Sequence, residues 1–356
     1  MSRNVIGMVL AALVLLFVSG CEPDTVPFLV YCSIRGNGTG FTQHDSSLSP
    51  YGYSKTYYVS DDLVLQLNDT IVKRNISSGG FSNLLPGNFT LTDKQFIAID
   101  RDNDKVYFAA DYAIWKIGLG GMDLLKLSPN DGSYSAPALS PCGNYLTAIK
   151  NGHIARMNLN TGTWIVLPEI SSAIYAVFFS DTDEYYSFCS SPLNYVTNLA
   201  LCRFSAATHD STCIMSDVYY GIDDYVAINI STNRNHRYFA MHQPQEPILV
   251  SSWIGYPDWE HYYDTLWLFD RKTGTVSSIP NCFSYSFVMD TDKLLYSHLI
   301  YEMSDLMSLD LASGTSTMIW DGYYSPHNYS FSIMDIYPRY DGEKIYLKTW
   351  IKAQND

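Results

Sequence analysis

The sequence predicts an all-β fold, and two observations support that prediction. Aromatic residues make up 15% of the chain and charged residues only 16%, and aromatic side chains suit the pleated, half-buried surface of a strand. Apolar stretches in the body of the chain are short and are separated by turns rich in Gly, Asn, Asp and Ser. Long amphipathic helical patterns do not occur in this sequence. We therefore expect sheets rather than helices.

A short polar turn followed by an apolar, aromatic-rich strand recurs along the chain. Such turns begin at Asp100, Ser140, Ser180, Ser231, Met289 and Tyr340. A strand–turn–strand pattern with Gly, Asn or Thr in the turn recurs at residues 114–127, 154–167, 199–215, 266–279 and 306–319. One repeat therefore contains four consecutive strands, which is the antiparallel meander of a propeller blade.

The repeats predict a six-bladed β-propeller of four-stranded antiparallel blades. Complete units fill residues 88–320, and a further first half at 333–350 has no second half after it. Residues 63–76 show the missing strand–turn–strand pattern. We therefore expect N-terminal strands to complete the C-terminal blade, because an open ring would leave sheet edges exposed. Seven blades, one of them degenerate, are the alternative count.

The turn sequences resemble the repeat of TolB-like propellers. Residues 136–144 read APALSPCGN and residues 158–162 read NLNTG, where the family has a Ser-Pro-Asp-Gly turn and an Asp-Leu-x-Thr-Gly turn. Related second turns occur at residues 269–274 and 309–314. Cys142 stands where the family usually has Asp. The resemblance implies a propeller, but TolB carries an additional α/β domain and is not acylated, so the chain is TolB-like and is not identified as TolB.

The N-terminus is predicted to be a signal peptide. Arg3 precedes an apolar run at residues 5–18, which would reach about 21 Å as a helix, short of a ~30 Å hydrocarbon core. Residues 18–21, VSGC, resemble the lipobox of bacterial lipoproteins. The resemblance implies cleavage before Cys21 and acylation of that cysteine with palmitate or a similar chain. An ordinary secretory signal beside an incidental cysteine is the alternative.

These features divide the chain into three parts. Residues 1–20 form the signal peptide, residues 21–54 carry the acylated cysteine and a flexible tether, and residues 55–356 form the propeller. The tether is assigned from its Gly, Pro, Ser and Asn content, and docking of residues 28–32 on the propeller as an extra strand is the alternative. Glu22 instead of Asp favours, by analogy with lipoproteins, the outer membrane or cell surface.

Charge and motifs narrow the function classes. A net charge of −14 makes nucleic acid and anionic lipid surfaces poor partners. The sequence contains no G-x-S-x-G, H-E-x-x-H or phosphate-binding glycine motif. We predict no catalytic residue, cofactor or metal site, and we expect a monomer. The expected partners are the membrane, through the lipid anchor, and an envelope protein, peptide or glycan.

The candidate ligand site is an aromatic-rich surface on one face of the ring. The loop at residues 243–264 is much longer than its counterparts, and it joins the second and third strands of its blade on the face that also carries the connections between blades. The candidate ligand-binding residues are Trp253, Tyr256, Trp259, Tyr262, Tyr263, Tyr219, Tyr220, Asp223, Tyr323 and Tyr324. Aromatic rings among carboxylates suit sugars or peptide segments. The alternative is that the rings pack on one another to order the loop.

The favoured function is therefore a binding scaffold in the cell envelope. The alternative is a propeller-fold enzyme, a glycan lyase or hydrolase with its site at the channel mouth.

Six cysteines follow Cys21, and an oxidising compartment permits disulfides between them. Cys202 and Cys213 flank a polar turn and could face each other across a hairpin, with Cys189 on the preceding strand. We predict one disulfide within this trio, and buried free thiols are the alternative.

Overall fold

The structure, a computed structural model, describes residues 28–39, 42–43, 55–60, 63–67, 69–75, 78, 80–87, 89–167, 172–193, 196–208, 210–220, 230–233, 235–243, 248–250, 258–260, 265–288, 291–300, 303–321, 323–324, 329–338 and 342–353. Throughout these residues, regular secondary structure consists of β-strands, which confirms the all-β prediction. The described residues contain no helix of the length and hydropathy that crossing a membrane requires.

Strands succeed one another along the described chain in regular groups. The first two are β1 (Phe28–Arg35) and β2 (Thr42–Gln43). Blade 1 contains β3 (Lys55–Ser60), β4 (Leu63–Leu67), β5 (Ile71–Asn75) and β6 (Phe81–Asn83). Blade 2 contains β7 (Ala98–Asp100), β8 (Lys105–Ala110), β9 (Ala113–Gly118) and β10 (Leu125–Lys126). Blade 3 contains β11 (Tyr134–Leu139), β12 (Tyr145–Lys150), β13 (His153–Asn158) and β14 (Thr163–Leu167).

The second half of the chain repeats this arrangement with longer strands. Blade 4 contains β15 (Ala173–Phe179), β16 (Glu184–Leu193), β17 (Val196–Ser205) and β18 (Ser211–Tyr220). Blade 5 contains β19 (Ile230–Thr232), β20 (Tyr238–Gln243), β23 (Thr265–Asp270) and β24 (Thr275–Pro280), and between β20 and β23 lie β21 (Ile248–Val250) and β22 (Asp258–Glu260). Blade 6 contains β25 (Cys282–Val288), β26 (Lys293–Ile300), β27 (Met303–Asp310) and β28 (Thr315–Trp320). The last strands are β29 (Tyr323–Tyr324), β30 (Tyr329–Pro338) and β31 (Lys344–Ala353).

The sheets form a β-propeller. Six of them are the four-stranded antiparallel blades just described. This confirms the prediction of a propeller with six four-stranded antiparallel blades. A further sheet, the closing sheet, has five strands in the order β2-β1-β31-β30-β29. Its strand β30 contacts β25 of blade 6 and β3 of blade 1. The closing sheet therefore occupies a seventh position in the ring, as in the alternative count.

N-terminal strands do complete the C-terminal sheet, but they are not the strands expected. Strand β1 pairs antiparallel with β31 from Phe28↔Ile351 to Arg35↔Lys344. Residues 63–75 instead form β4 and β5 of blade 1. The segment assigned to a tether therefore supplies the closing strand, in line with the docking alternative. Its Gly-rich composition reflects the turn at residues 36–39 after β1, where Gly38 adopts φ +78°.

The hydrophobic core lies in the seams between neighbouring sheets. One cluster joins blades 1 and 2 through side chains such as Leu65 and Phe108. The largest cluster joins blades 3, 4 and 5 and includes Phe188 and Phe239. The seam between blade 6 and the closing sheet buries Ile34 of β1. Because each seam needs an apolar face on both of its sheets, inner strands such as β8 and β12 are buried on two sides, whereas outer strands such as β24 and β28 are largely exposed.

In five of the seven sheets around the cavity, the pairing of the innermost strand with the second strand contains a register shift. Register shifts occur in β3, β11, β15, β25 and β30. A bulge bends a strand and increases its twist, which suits strands that crowd around one axis. Ala136, within the shift of β11, has φ +46°, and its N–H donates to Asp93 Oδ2 of the preceding blade at 2.7 Å.

The TolB-like second turns share one geometry. Gly162, Gly274 and Gly314 have φ of 72°, 70° and 71°, which only glycine adopts without strain. The N–H of Gly162 donates to the Asn158 carbonyl at 2.8 Å, and the N–H of Gly314 donates to the Asp310 carbonyl at the same distance. These motifs are therefore turn chemistry, as the sequence indicated.

Candidate functional site

A cavity of about 940 Å³ occupies the centre of the ring. Every blade and the closing sheet contribute to its wall through their innermost strands. Lining residues, one for each of these strands, are Tyr57, Ala98, Leu139, Tyr175, Ile230, Tyr285 and Ile336. The volume lies at the upper end of the range of small-molecule sites in proteins.

The deeper wall of the cavity is aromatic. Phe96 and Tyr175 pack with ring centroids 5.0 Å apart, and Tyr57 and Tyr285 also line the cavity. Burial raises the pKa of Tyr175 to about 12 and raises the pKa values of Tyr57 and Tyr285 as well. All three phenols are therefore neutral at physiological pH. Tyr57 and Tyr175 are partly exposed and offer uncharged ring surface to the cavity, whereas Phe96 and Tyr285 are buried behind it.

The rim of the cavity is polar. It consists mainly of the turns between first and second strands, and its members include Asp100, Asp102, Asn144, Asn235 and Asp292. Arg101 also lines it. Two of the carboxylates are engaged: Asp100 accepts from the backbone N–H of Asn103 at 3.2 Å, and Asp292 accepts from Arg237 Nη1 at 3.2 Å. The amide and hydroxyl groups of Asn144, Asn235 and Thr291 lie on the rim beside these charged groups.

Cys142 places a thiol on this rim. The side chain is exposed, and its Sγ lies 3.3 Å from Ser140 Oγ and 3.4 Å from Ser180 Oγ of the next blade. Partial burial acts to raise the pKa of the thiol, but the hydrogen bonds from Ser140 and Ser180 lower it below the ordinary value. Cys142 therefore acts as a hydrogen-bond acceptor in this turn.

His236 closes part of the mouth from blade 5. Its Nδ1 lies 2.7 Å from Thr232 Oγ1, its ring packs edge-on against Phe179 with centroids 6.3 Å apart, and it hydrogen-bonds to the Leu139 carbonyl of blade 3. Burial, together with the positive charge of Arg271, lowers the pKa of His236 to about 4, although the Leu139 carbonyl acts to raise it. The imidazole is therefore neutral at physiological pH.

Titratable groups around the cavity make contacts between blades. Tyr57 of blade 1 donates its O–H to the Gln95 carbonyl in the segment before blade 2. Tyr175 of blade 4 hydrogen-bonds with Thr232 of blade 5, and Tyr285 of blade 6 donates to the Ala240 carbonyl of blade 5 at 3.4 Å. Burial between the blades, and not these bonds, raises the pKa values of the three tyrosines. The tyrosines therefore act as neutral packing groups that hold neighbouring blades together around the cavity.

The aromatic candidates from the sequence lie elsewhere. Trp259 lies in β22, Tyr219 and Tyr220 end β18, and Tyr323 and Tyr324 form β29. Trp253, Tyr256, Tyr262, Tyr263 and Asp223 fall outside the described residues. Because neighbouring strands are antiparallel, connections between the second and third strands lie at the opposite end of the blades from the rim turns. These residues remain a predicted site on that other face.

The rim was missed because each of its turns has a sufficient local explanation. Asp100, Ser140 and Asn233 all serve their own turns, as polar turn residues commonly do. The available signal was their repetition: every such turn directly follows an innermost strand, so a closed ring brings all of them to one mouth.

The structure describes the thiols of Cys202 and Cys213 and the side chains that could bind a metal ion. Cys202 and Cys213 are direct cross-strand partners in β17 and β18, and both thiols are free. Within the described part of the chain, no three His, Cys, Asp or Glu side chains form a group suited to a metal ion. Cys21 lies outside the described residues, and its acylation remains a prediction.

Comparisons with known proteins identify the fold. A chain of hydrazine synthase from Kuenenia stuttgartiensis is similar with a TM-score of 0.52 and 9% identity, over 82% of this chain and 92% of that one. A chain described as TolB from Agrobacterium tumefaciens is similar with a TM-score of 0.44 and 10% identity, over 93% and 100%. No family model and no curated protein matches the sequence. The strand topology and the first likeness define the class of this protein as a β-propeller.

Proposed function

We propose that this chain is an exported, lipid-anchored binding protein whose propeller holds a glycan segment in its central cavity. The observation that carries this proposal is the cavity of about 940 Å³ with an aromatic wall and a polar rim. Sugars present both apolar C–H faces and hydroxyls, so they suit a site that combines ring faces with amide and hydroxyl groups.

The charges of the rim favour a neutral or weakly cationic glycan. Asp100 and Asp102 line the cavity beside Arg101, and Asp292 lines it while paired with Arg237 at 3.2 Å. The chain as a whole carries a net charge of −14, so anionic polysaccharides and nucleic acids would be repelled. A cationic peptide is the competing ligand, and it enters the test as a second class of candidate.

The test is a blocking substitution at the rim. Asn144 is exposed and lines the cavity, so Asn144→Trp should obstruct the mouth without entering the core. Asn130→Trp is the matched control, because Asn130 is also exposed but lies in the connection between blades 2 and 3. Binding is measured first on a glycan array and a cationic peptide array, and then by titration of the best ligand. We expect at least about a tenfold loss of affinity for Asn144→Trp, about 1.4 kcal/mol, and none for the control.

Three results would contradict the proposal. A ligand that tolerates Asn144→Trp but is lost in Trp253→Ala and Trp259→Ala variants would place the site on the opposite face. If the tightest ligand on the arrays were a peptide, the proposed ligand class would be wrong and the protein would be a peptide-binding protein. Failure of the wild-type protein to bind any glycan or peptide would favour the alternative enzyme, to be tested by turnover assays on envelope and plant polysaccharides.

The anchor is tested independently. Cys21→Ala should release the protein from membranes, because acylation of this cysteine is the proposed means of stable attachment and two or three acyl chains are needed for it. Membrane fractionation and metabolic labelling with palmitate measure the effect, with Cys142→Ala as a control that keeps the anchor. Unchanged membrane retention and labelling of the Cys21→Ala variant would refute lipid anchoring.

A further inference from the structure

Three cysteines lie side by side on one face of blade 4. Cys202 in β17 is the direct cross-strand partner of Cys213 in β18. On its other side Cys202 pairs with Ser187 of β16, and Cys189 lies two residues further along that strand. Because side chains of paired residues, and of residues two apart on a strand, share a face, all three thiols lie on the same side of the sheet.

The thiols are close enough to interact. Cys189 and Cys202 shift each other's pKa in opposite directions, and Cys213 acts on the pKa of Cys202 as well. Direct cross-strand partners such as Cys202 and Cys213 have Cβ atoms about 4.5–5.5 Å apart, and diagonal neighbours such as Cys189 and Cys202 lie about 7–8 Å apart or somewhat less, whereas a disulfide needs about 3.5–4.5 Å. The Cys189–Cys202 bond therefore requires the larger approach of the two strands. A register shift between Leu201 and Cys202 interrupts the regular ladder here, so a small approach of the strands does not have to deform an ideal sheet. Cys202 is the central member of the trio.

The three thiols differ in reactivity. The neighbouring Cys202 thiol lowers the pKa of Cys189, while the same interaction, together with burial, raises the pKa of Cys202. Cys189 is therefore deprotonated more readily than Cys202, and the thiolate is the nucleophilic form of a cysteine. Cys213 is exposed at the edge of the group.

We propose that Cys189, Cys202 and Cys213 form a thiol–disulfide exchange site in which Cys202 is shared between two alternative disulfides. An external low-molecular-weight disulfide is the oxidant. The Cys189 thiolate attacks one of its sulfurs, forms a mixed disulfide and releases the first external thiolate.

Cys202 then gives up its proton and attacks the Cys189 sulfur. This step forms the Cys189–Cys202 bond and releases the second external thiolate. Two electrons have passed from the protein to the oxidant, which is reduced to two thiols. Attack of the Cys213 thiolate on the Cys202 sulfur moves the bond to Cys202–Cys213 and frees Cys189, without further electron transfer. This site is independent of the proposed glycan binding.

The experiment follows the disulfides of the reduced full-length protein in oxidised glutathione. Samples are quenched with acid, alkylated and mapped by mass spectrometry. In the wild type we expect a Cys189–Cys202 bond to appear first and a Cys202–Cys213 bond to follow. Cys189→Ser should slow formation of the Cys202–Cys213 bond by about tenfold, because the most reactive thiolate is gone. Cys213→Ser should accumulate only the Cys189–Cys202 bond.

Two other cysteines act as internal controls. Cys142 is exposed but outside the trio, so it should acquire glutathione without forming an internal disulfide, and buried Cys282 should stay reduced. A wild-type protein with no disulfide inside the trio would overturn the proposal. So would an unchanged rate in Cys189→Ser, or ready formation of a Cys189–Cys213 bond in Cys202→Ser. The order of bonds in the wild type decides the matter even if a variant fails to fold.

Discussion

Replacing Ile34 by Asp should abolish the folded state or leave it only marginally stable. Ile34 is 1% exposed and packs in the seam between the closing sheet and blade 6, with Val288, Leu306 and Ile336. An unpaired carboxylate in such a site costs several kcal/mol, which is comparable with the whole stability of a typical domain. Because β1 joins the chain ends, its loss also opens two sheet edges.

Thermal unfolding followed by near-ultraviolet circular dichroism measures this effect. Ile34→Ala provides a graded variant that should cost about 2–5 kcal/mol and lower the melting temperature by on the order of 10 °C. Arg35→Asp is the matched control, since Arg35 is the next residue of the same strand but is exposed. If Ile34→Asp melted like the wild type, β1 would not be the strand that closes the ring.

Acidification should destabilise the protein through His236. The pKa of this imidazole is about 4 in the folded chain because burial disfavours its charged form, while its ordinary value is near 6.5. The unfolded chain therefore binds the proton first, so stability is full above about pH 6.5 and falls as the pH drops towards 4. At ~1.36 kcal/mol per pKa unit, the loss is at most about 3 kcal/mol.

Denaturant unfolding at pH 7, 5.5 and 4.5 tests this expectation. His236→Gln loses the same contacts at every pH but cannot take up a proton, so its unfolding free energy should depend on pH less steeply than that of the wild type. Parallel pH profiles for the two proteins would show that His236 does not contribute to the acid sensitivity.

Local features of the fold could be predicted because the residues that cause them are local. A glycine four residues after a polar residue fixes the turn between third and fourth strands, as Gly314 does after Asp310. Short apolar runs bounded by polar turns mark the inner strands, as in β8 and β12. The cross-strand pairing of Cys202 with Cys213 likewise follows from a short turn between two strands.

The choice of closing strand could not be made in this way. Residues 63–75 and β1 both read as strands, and the decision in favour of β1 depends on pairing with β31, more than three hundred residues away. The energy of that pairing comes from Cys32 and Ile34 entering a seam made by distant residues.

By itself the sequence determined the all-β class, the four-stranded repeat and the chemistry of individual turns, because neighbours along the chain specify these properties. Only the tertiary structure decided which strand closes the ring and which face carries the mouth of the cavity. Cys142, His236 and Asp292 are distant in sequence and meet on one rim because the innermost strands converge on a common axis. Convergence of that kind is a property of the closed ring and not of any single repeat.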